Sequence, residues 1–173
     1  FERPFFCSIT KLIMCLILFG WKSHPQYDLV LVANRDEFYD RPTQPAHEWN
    51  EHPGMIAGKD LTAGGTWMGI TKTGRFAALT NYRDPKNIDP NAPSRGHLTK
   101  DFLISDTSPL NYLSTLKSEK SNYNGFNLLV GDQESLWYYN NVNHQIKELN
   151  AGVYFLEVTQ DNEWVIEKFV KVN

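Results

Sequence analysis

The sequence predicts an α+β fold built mostly from antiparallel sheets, and three observations predict it. Short apolar, β-rich runs fill the first half, from Met14 to Asn81, with Gly-, Pro- and Asn-containing turns between them. Two stretches with apolar residues at helical spacing follow, and short β-rich runs then return. Strands, then helices, then strands is the order of an α+β domain, not of repeated βαβ units. The 173 residues are 41% hydrophobic, enough for one domain with a sizeable core.

The elements follow in order. Met14 to Phe19 is a short apolar run ended by Gly20 and reads as a buried strand. His24 to Asp28 is turn-like, and Leu29 to Ala33 is a second apolar run, so the pair predicts an antiparallel hairpin. Arg41 to Gly54 holds three prolines and no clean period, which predicts a loop. Met55–Gly58, Thr66–Thr71 and Phe76–Asn81 are three more predicted strands, with Gly64-Gly65 and Thr73-Gly74 as turns. A loop over Asp84–Pro93 precedes a helix that starts near Ser94, a residue suited to capping. A second helix covers Pro109–Lys117, with proline near its start. Phe126–Val130, Leu136–Tyr139 and Ile146–Leu149 complete the set as a meander.

Composition excludes several function classes. A net charge of -3 without a Lys/Arg cluster argues against a nucleic-acid partner. Two cysteines, Cys7 and Cys15, make no disulfide framework and point to reduced thiols in the cytoplasm. The apolar run Leu12–Phe19 is too short to span a bilayer, and no small-x-small cleavage site follows it, so no stable membrane insertion is expected. His47 and His52 do not share a helix face and sit between prolines, so no metal site is expected there. GGTWMG, Gly64–Gly69, lacks the Gly-Lys-Ser/Thr ending of a phosphate loop. Trp137-Tyr138-Tyr139 reads as sheet packing. Ser94-Arg95-Gly96 reads as a capped helix start or as an anion site, the capped helix being preferred.

The stretch that carries chemistry is ANRDEFYDRPT, Ala33–Thr43. Asn34-Arg35-Asp36-Glu37 follows five apolar residues. It reads either as a polar turn or as an Arg–carboxylate constellation at a strand end, beside a neighbouring strand that begins at Cys15. Tyr82-Arg83-Asp84 reads equally as a pocket lining or as a surface ion pair.

MCLILFGWKSHPQYDLVLVANRDEFYDRPT, Met14–Thr43, resembles the start of the Asn-Arg-Asp-Glu family, which includes animal transport and Golgi organisation proteins and many bacterial members. AGKDLTAGGTWMGITKTGRFAALTNYRDP, SRGHLTKDFL and YNGFNLLVGD resemble its later blocks, in order and at the expected separations. The resemblance covers 14–154, which makes 1–13 an extra N-terminal segment and 155–173 a divergent tail. It implies an N-terminal nucleophile hydrolase-like αββα sandwich. Family members continue with a Gly-Leu-Ser-Asn segment and a Pro-Trp-Pro stretch that this chain lacks, so the sandwich is expected to be incomplete at its C-terminus.

The resemblance further implies that Met14 is the initiator and that its removal exposes Cys15 as a nucleophile carrying its own α-amine. That amine titrates near ~8 and a thiol near ~8.5, so the one can serve as base for the other. Arg35 would then stabilise the thiolate, Asp36 hold the protonated amine, and Asn81 donate to an oxyanion. Asn34, Glu37, Trp67, Tyr82 and Arg83 are the substrate-binding candidates. The function so implied is cysteine-dependent amide hydrolysis or acyl transfer on a small substrate, without a cofactor. The alternative is a non-catalytic protein handling haem or lipid in Golgi organisation and secretion.

Overall fold

Buried and exposed side chains alternate along β1 (Leu16–Trp21), with Ile17, Phe19 and Trp21 inward and Leu16 and Leu18 outward. The chain is seen in a computed structural model that describes residues 16–35, 37, 39–82, 88–119, 122–158 and 164–169. β2 (Leu29–Asn34) pairs antiparallel with β1, from Leu16↔Asn34 to Trp21↔Leu29, as the expected hairpin. Its Leu29, Leu31 and Ala33 face the same core as Ile17 and Phe19. A one-residue slip would turn every one of these side chains to the other face, so burial fixes the register.

The segment 41–54 departs from expectation. It contains β3 (Thr43–Glu48), which pairs with β4 (Met55–Asp60). All six β3 residues are exposed and the register shifts between Gln44 and His47. Pro45 is compatible with a strand because β3 is an edge, where one side of the backbone needs no partner. β5 (Met68–Thr71) starts two residues later than expected, because Thr66 N donates to Gly96 O and Trp67 O accepts from Leu79 N. β6 (Phe76–Asn81) follows as expected.

α1 (Gly96–Ile104) buries Leu98, Thr99, Phe102 and Leu103, one face at helical spacing. The expected Ser94 cap is not formed: Arg95 occupies the N-cap position, with no side-chain capping bond. The other end of α1 is held by Arg75, whose Nη2 donates to Phe102 O (3.0 Å) and Thr107 O (2.8 Å). α2 (Pro109–Ser118) starts with proline, as expected, and buries Leu113 and Leu116. Tyr112 Oη on α2 donates to Leu98 O on α1, locking the two helices together. β7 (Phe126–Gly131), β8 (Leu136–Asn140) and β9 (Gln145–Glu148) form the expected meander. β10 (Gly152–Val158) and β11 (Trp164–Phe169) were not foreseen; β10 pairs with β1.

Every strand pairing is antiparallel, within a seven-stranded sheet (β3 to β9 in chain order) and a four-stranded sheet (β11-β10-β1-β2). One core joins both helices to the larger sheet. A second lies between the sheets, with Phe19 stacked on Tyr154. The described residues thus form a helical layer, the larger sheet and the smaller sheet. The outer face of the smaller sheet carries exposed Leu16, Leu18, Val30, Val32 and Val153. Among the described residues, no helix is long and apolar enough to cross a membrane.

Candidate functional site

A cavity of about 500 Å³ opens where the end of β2, the β3–β4 edge, the end of β6 and the start of α1 meet. Trp67, Leu79 and Ile88 give it apolar wall, and Arg35, Glu37, Asn81 and Arg95 give it polar wall. Asn81 is brought here by the β6–β7 register, Asn81↔Phe126. Arg35 directly follows β2, and side-chain alternation from Leu29, Leu31 and Ala33 carries it to the inner side.

An alternating chain of charges braces one wall. Arg35 Nη2 lies 3.5 Å from Glu37 Oε2, the same oxygen lies 3.7 Å from Arg41 Nε, and Arg41 Nη2 donates to Asp60 Oδ2 at 2.6 Å. Asp60 Oδ1 accepts from the backbone N–H of Thr62 and Ala63, closing the turn after β4. Burial pushes the Asp60 carboxyl up, but the Arg41 bond and the two backbone donors outweigh it and hold the group below the ordinary aspartate range. The hydrogen bond to Asp60 likewise raises Arg41.

That depression has a pH consequence. A carboxyl lowered on folding contributes stability above its unfolded pKa, and loses it as pH falls through the folded value. Asp60→Asn is therefore expected to cost about 1 kcal/mol at pH 7, given the partial exposure of the pair. The difference from wild type is expected to shrink as pH falls below the ordinary aspartate range and to reach zero only below the lowered folded value. Urea unfolding at pH 7 and pH 3 measures both. An equal loss at the two values would rule out the ion pair as its source.

The opposite wall depends on a close backbone approach. A Cβ on Gly65 would meet Gly96 C at 2.6 Å, so only glycine lets the turn after β4 abut the start of α1. His97 Nε2–H donates to Ala63 O and strengthens this junction. Asp89 and Asn124 exchange two hydrogen bonds, Asp89 N to Asn124 Oδ1 and Asn124 Nδ2 to Asp89 O, each 2.9 Å. They pin the Ile88–Pro93 stretch over the cavity. Arg95 points in from the start of α1. Its Nη1 donates to Gly125 O at 2.8 Å, and burial lowers its pKa, an effect the charge of Glu37 opposes.

The expected site residues divide accordingly. Arg35, Glu37, Trp67 and Asn81 share the cavity wall. Asn34 does not; its side chain faces outward and Oδ1 accepts from Leu16 N at 2.8 Å, a bond that ties β1 to β2. Tyr82 also stands outside the wall, packed against the core between the sheets. Cys15, Asp36 and Arg83 lie outside the described residues. His47 and His52 each lie near the ring of buried Trp49, with centroids 6.5 and 6.2 Å away, and Trp49 Nε1 donates to Ala57 O. Sequence reasoning missed Arg41 and Asp60, which are 19 positions apart and carry no periodic signal.

The Transport and Golgi organisation 2 family model matches residues 14–171. The chain belongs to this family. Among its relatives, the mouse Transport and Golgi organization 2 homolog is 43% identical over 126 residues, covering 69% of this chain and 45% of that protein. The bovine Transport and Golgi organization protein 2 homolog is 44% identical over 126 residues with the same coverage. The fruit-fly Transport and Golgi organization protein 2 is 36% identical over 129 residues, 67% of this chain and 45% of that protein. The chain therefore spans slightly less than half the length of these relatives. The family assignment agrees with the Asn34–Glu37 stretch and the later blocks, and the cavity contains two residues of that stretch, Arg35 and Glu37.

Proposed function

We propose that this chain is a ligand-binding protein of the Transport and Golgi organisation 2 family, holding a small organic molecule in the cavity between Arg35, Trp67 and Asn81. The observation that carries this reading is the cavity itself. Its volume, about 500 Å³, lies within the ~300–1,000 Å³ of small-molecule sites, and its wall sets Trp67, Leu79 and Ile88 among a larger number of polar and charged groups. The relatives' names support a role in transport and Golgi organisation. An acyl compound suits the lining better than haem, since no His, Cys, Met or Tyr is among the described wall residues to serve as an axial ligand. The cytoplasm is the compartment this reading assigns, supported by the low cysteine content. Titration of the 173-residue chain with N-octanoylglycine is expected to show saturable one-to-one binding, weakened about tenfold by Trp67→Ala. Absence of saturable binding would overturn the reading.

A second reading, acyl transfer by Cys15, is favoured by the Leu16 N–Asn34 Oδ1 bond. Cys15 precedes Leu16 in the chain and Arg35 follows Asn34, so the bond joins the two strand ends next to these residues in sequence. Two stacked antiparallel sheets with helices on one side also support the αββα sandwich that such chemistry uses. The thiolate would add to an amide carbonyl, and the C–N bond would break as the amine leaves with the thiol proton, relayed by the α-amine. Water would then hydrolyse the thioester. 4-Nitrophenyl octanoate is expected to leave one octanoyl group on Cys15 in a chain that begins there, and none in Cys15→Ala. Equal labelling of a chain retaining Met14 would sink the idea.

A further inference from the structure

We propose that the cavity reads a carboxylate on its ligand through Arg95, in the wall formed at the start of α1. This rests on the cavity being the ligand site, as argued above, and adds the charge class of the ligand.

The argument is one of unused donors. Arg41 is engaged by Glu37 and Asp60, and Lys59 by Glu51. Arg35 faces Glu37. Arg95 differs: it makes one hydrogen bond, to the neutral carbonyl of Gly125, and no carboxylate among the described residues lies within ion-pair distance of it. A guanidinium has five N–H donors in a planar fork, so most of its capacity remains. Arg95 is half-buried; burial disfavours its charge and the charge of Glu37 opposes that effect, so a further anion at the guanidinium would be stabilised. The planar fork matches a carboxylate in two parallel bonds, which a point charge such as lysine does not reproduce.

Gly125 O fixes one end of the guanidinium and also accepts from Tyr82 N, so the acceptor is itself held by the β6–β7 framework. The remaining donors are therefore pre-oriented at the cavity wall, and a carboxylate arriving there meets a fork that needs no rearrangement. The capped-helix reading of Ser94-Arg95-Gly96 gives no competing use for this side chain, because α1 has no side-chain cap and no acid in its first turn.

The test is a matched pair of ligands that differ only in charge. N-octanoylglycine and its neutral amide, N-octanoylglycinamide, are titrated against the 173-residue chain at two salt concentrations. Wild type is expected to bind the carboxylate about tenfold more tightly, the scale of a charge-assisted pair. Arg95→Gln is expected to abolish that preference, and Arg95→Lys to restore only part of it. Thermal unfolding of each variant confirms the fold, and Arg95→Lys keeps the test open if Arg95→Gln is unstable. Equal binding of the two ligands by wild type, or a preference that survives Arg95→Gln, would overturn the carboxylate assignment and leave the ligand site standing. Binding of neither ligand would overturn both.

Discussion

Phe102→Ala is expected to lower the stability of the chain by ~3–5 kcal/mol, the range for removing a fully buried aromatic ring. Phe102 is fully buried at the centre of the core between α1 and the larger sheet. Its ring meets Tyr112 edge-on, with centroids 5.2 Å apart, and carries the Arg75 guanidinium 4.0 Å above its centroid. Truncation removes three things at once: buried apolar area, the aromatic pair with α2, and the surface on which Arg75 lies. In a domain of this size such a loss corresponds to a fall in melting temperature of roughly 10 °C. The effect reaches the cavity, because α1 begins at its wall and Arg95 is held where α1 starts. N-octanoylglycine binding is therefore expected to weaken in Phe102→Ala, although residue 102 lies outside the wall. Phe102→Leu, which keeps most of the volume, is expected to lose less of both. Urea unfolding with parallel titration gives the answer. A loss below 1 kcal/mol would mean that the helices are not packed on the sheet as described.

How much of this was legible in the sequence follows from which signals are local. The β1–β2 hairpin, β6 and α2 were readable because alternation, apolar runs and a proline at a helix start are written in neighbouring residues. β3 was not. An edge strand with every side chain exposed has no buried face, so it has no period, and Pro45 argued against it. β10 was hidden for a different reason: it pairs with β1, more than 130 positions earlier, and its Tyr154 and Leu156 are buried in the core between the sheets, contacts that no local pattern records. The same division runs through the site. Arg35, Glu37, Trp67 and Asn81 stood out as motif residues and share the cavity. Arg41–Asp60 is a tertiary ion pair and left no local trace. Asn34 was visible as part of the polar stretch, and its side chain alternates to the outer face, where Oδ1 accepts from Leu16 N and ties β1 to β2. Arg95 was visible too, but a capping serine beside it offered the simpler reading. The distinction needed the third dimension: the cap does not form, and the guanidinium faces a cavity.

Asn127→Leu is expected to destabilise the chain by ~2–5 kcal/mol although it exchanges side chains of similar size. Asn127 is fully buried on β7. Its Oδ1 accepts from Tyr138 Oη at 2.6 Å and from Asn140 Nδ2 at 2.8 Å, and its Nδ2 donates to Thr80 Oγ1 at 3.3 Å. These four residues lie on three adjacent strands, β6, β7 and β8, and all are almost wholly buried. Leucine would fill the space but leave the Tyr138 hydroxyl and the Asn140 amide without their acceptor. Each orphaned buried donor costs ~1–3 kcal/mol, more than its bond contributes when made. Burial already pushes the Tyr138 phenol up to about 12, so ionisation gives no escape at neutral pH. The network also has a structural output: Asn140 Oδ1 accepts from the N–H of Val142 and Asn143, fixing the β8–β9 turn. The decisive comparison is a double-mutant cycle. Tyr138→Phe removes one of the orphaned donors, so Asn127→Leu combined with Tyr138→Phe is expected to be less destabilised than the two single losses added together. Strict additivity in urea unfolding would show that the loss in Asn127→Leu comes from misfit shape, not from unpaired polar groups.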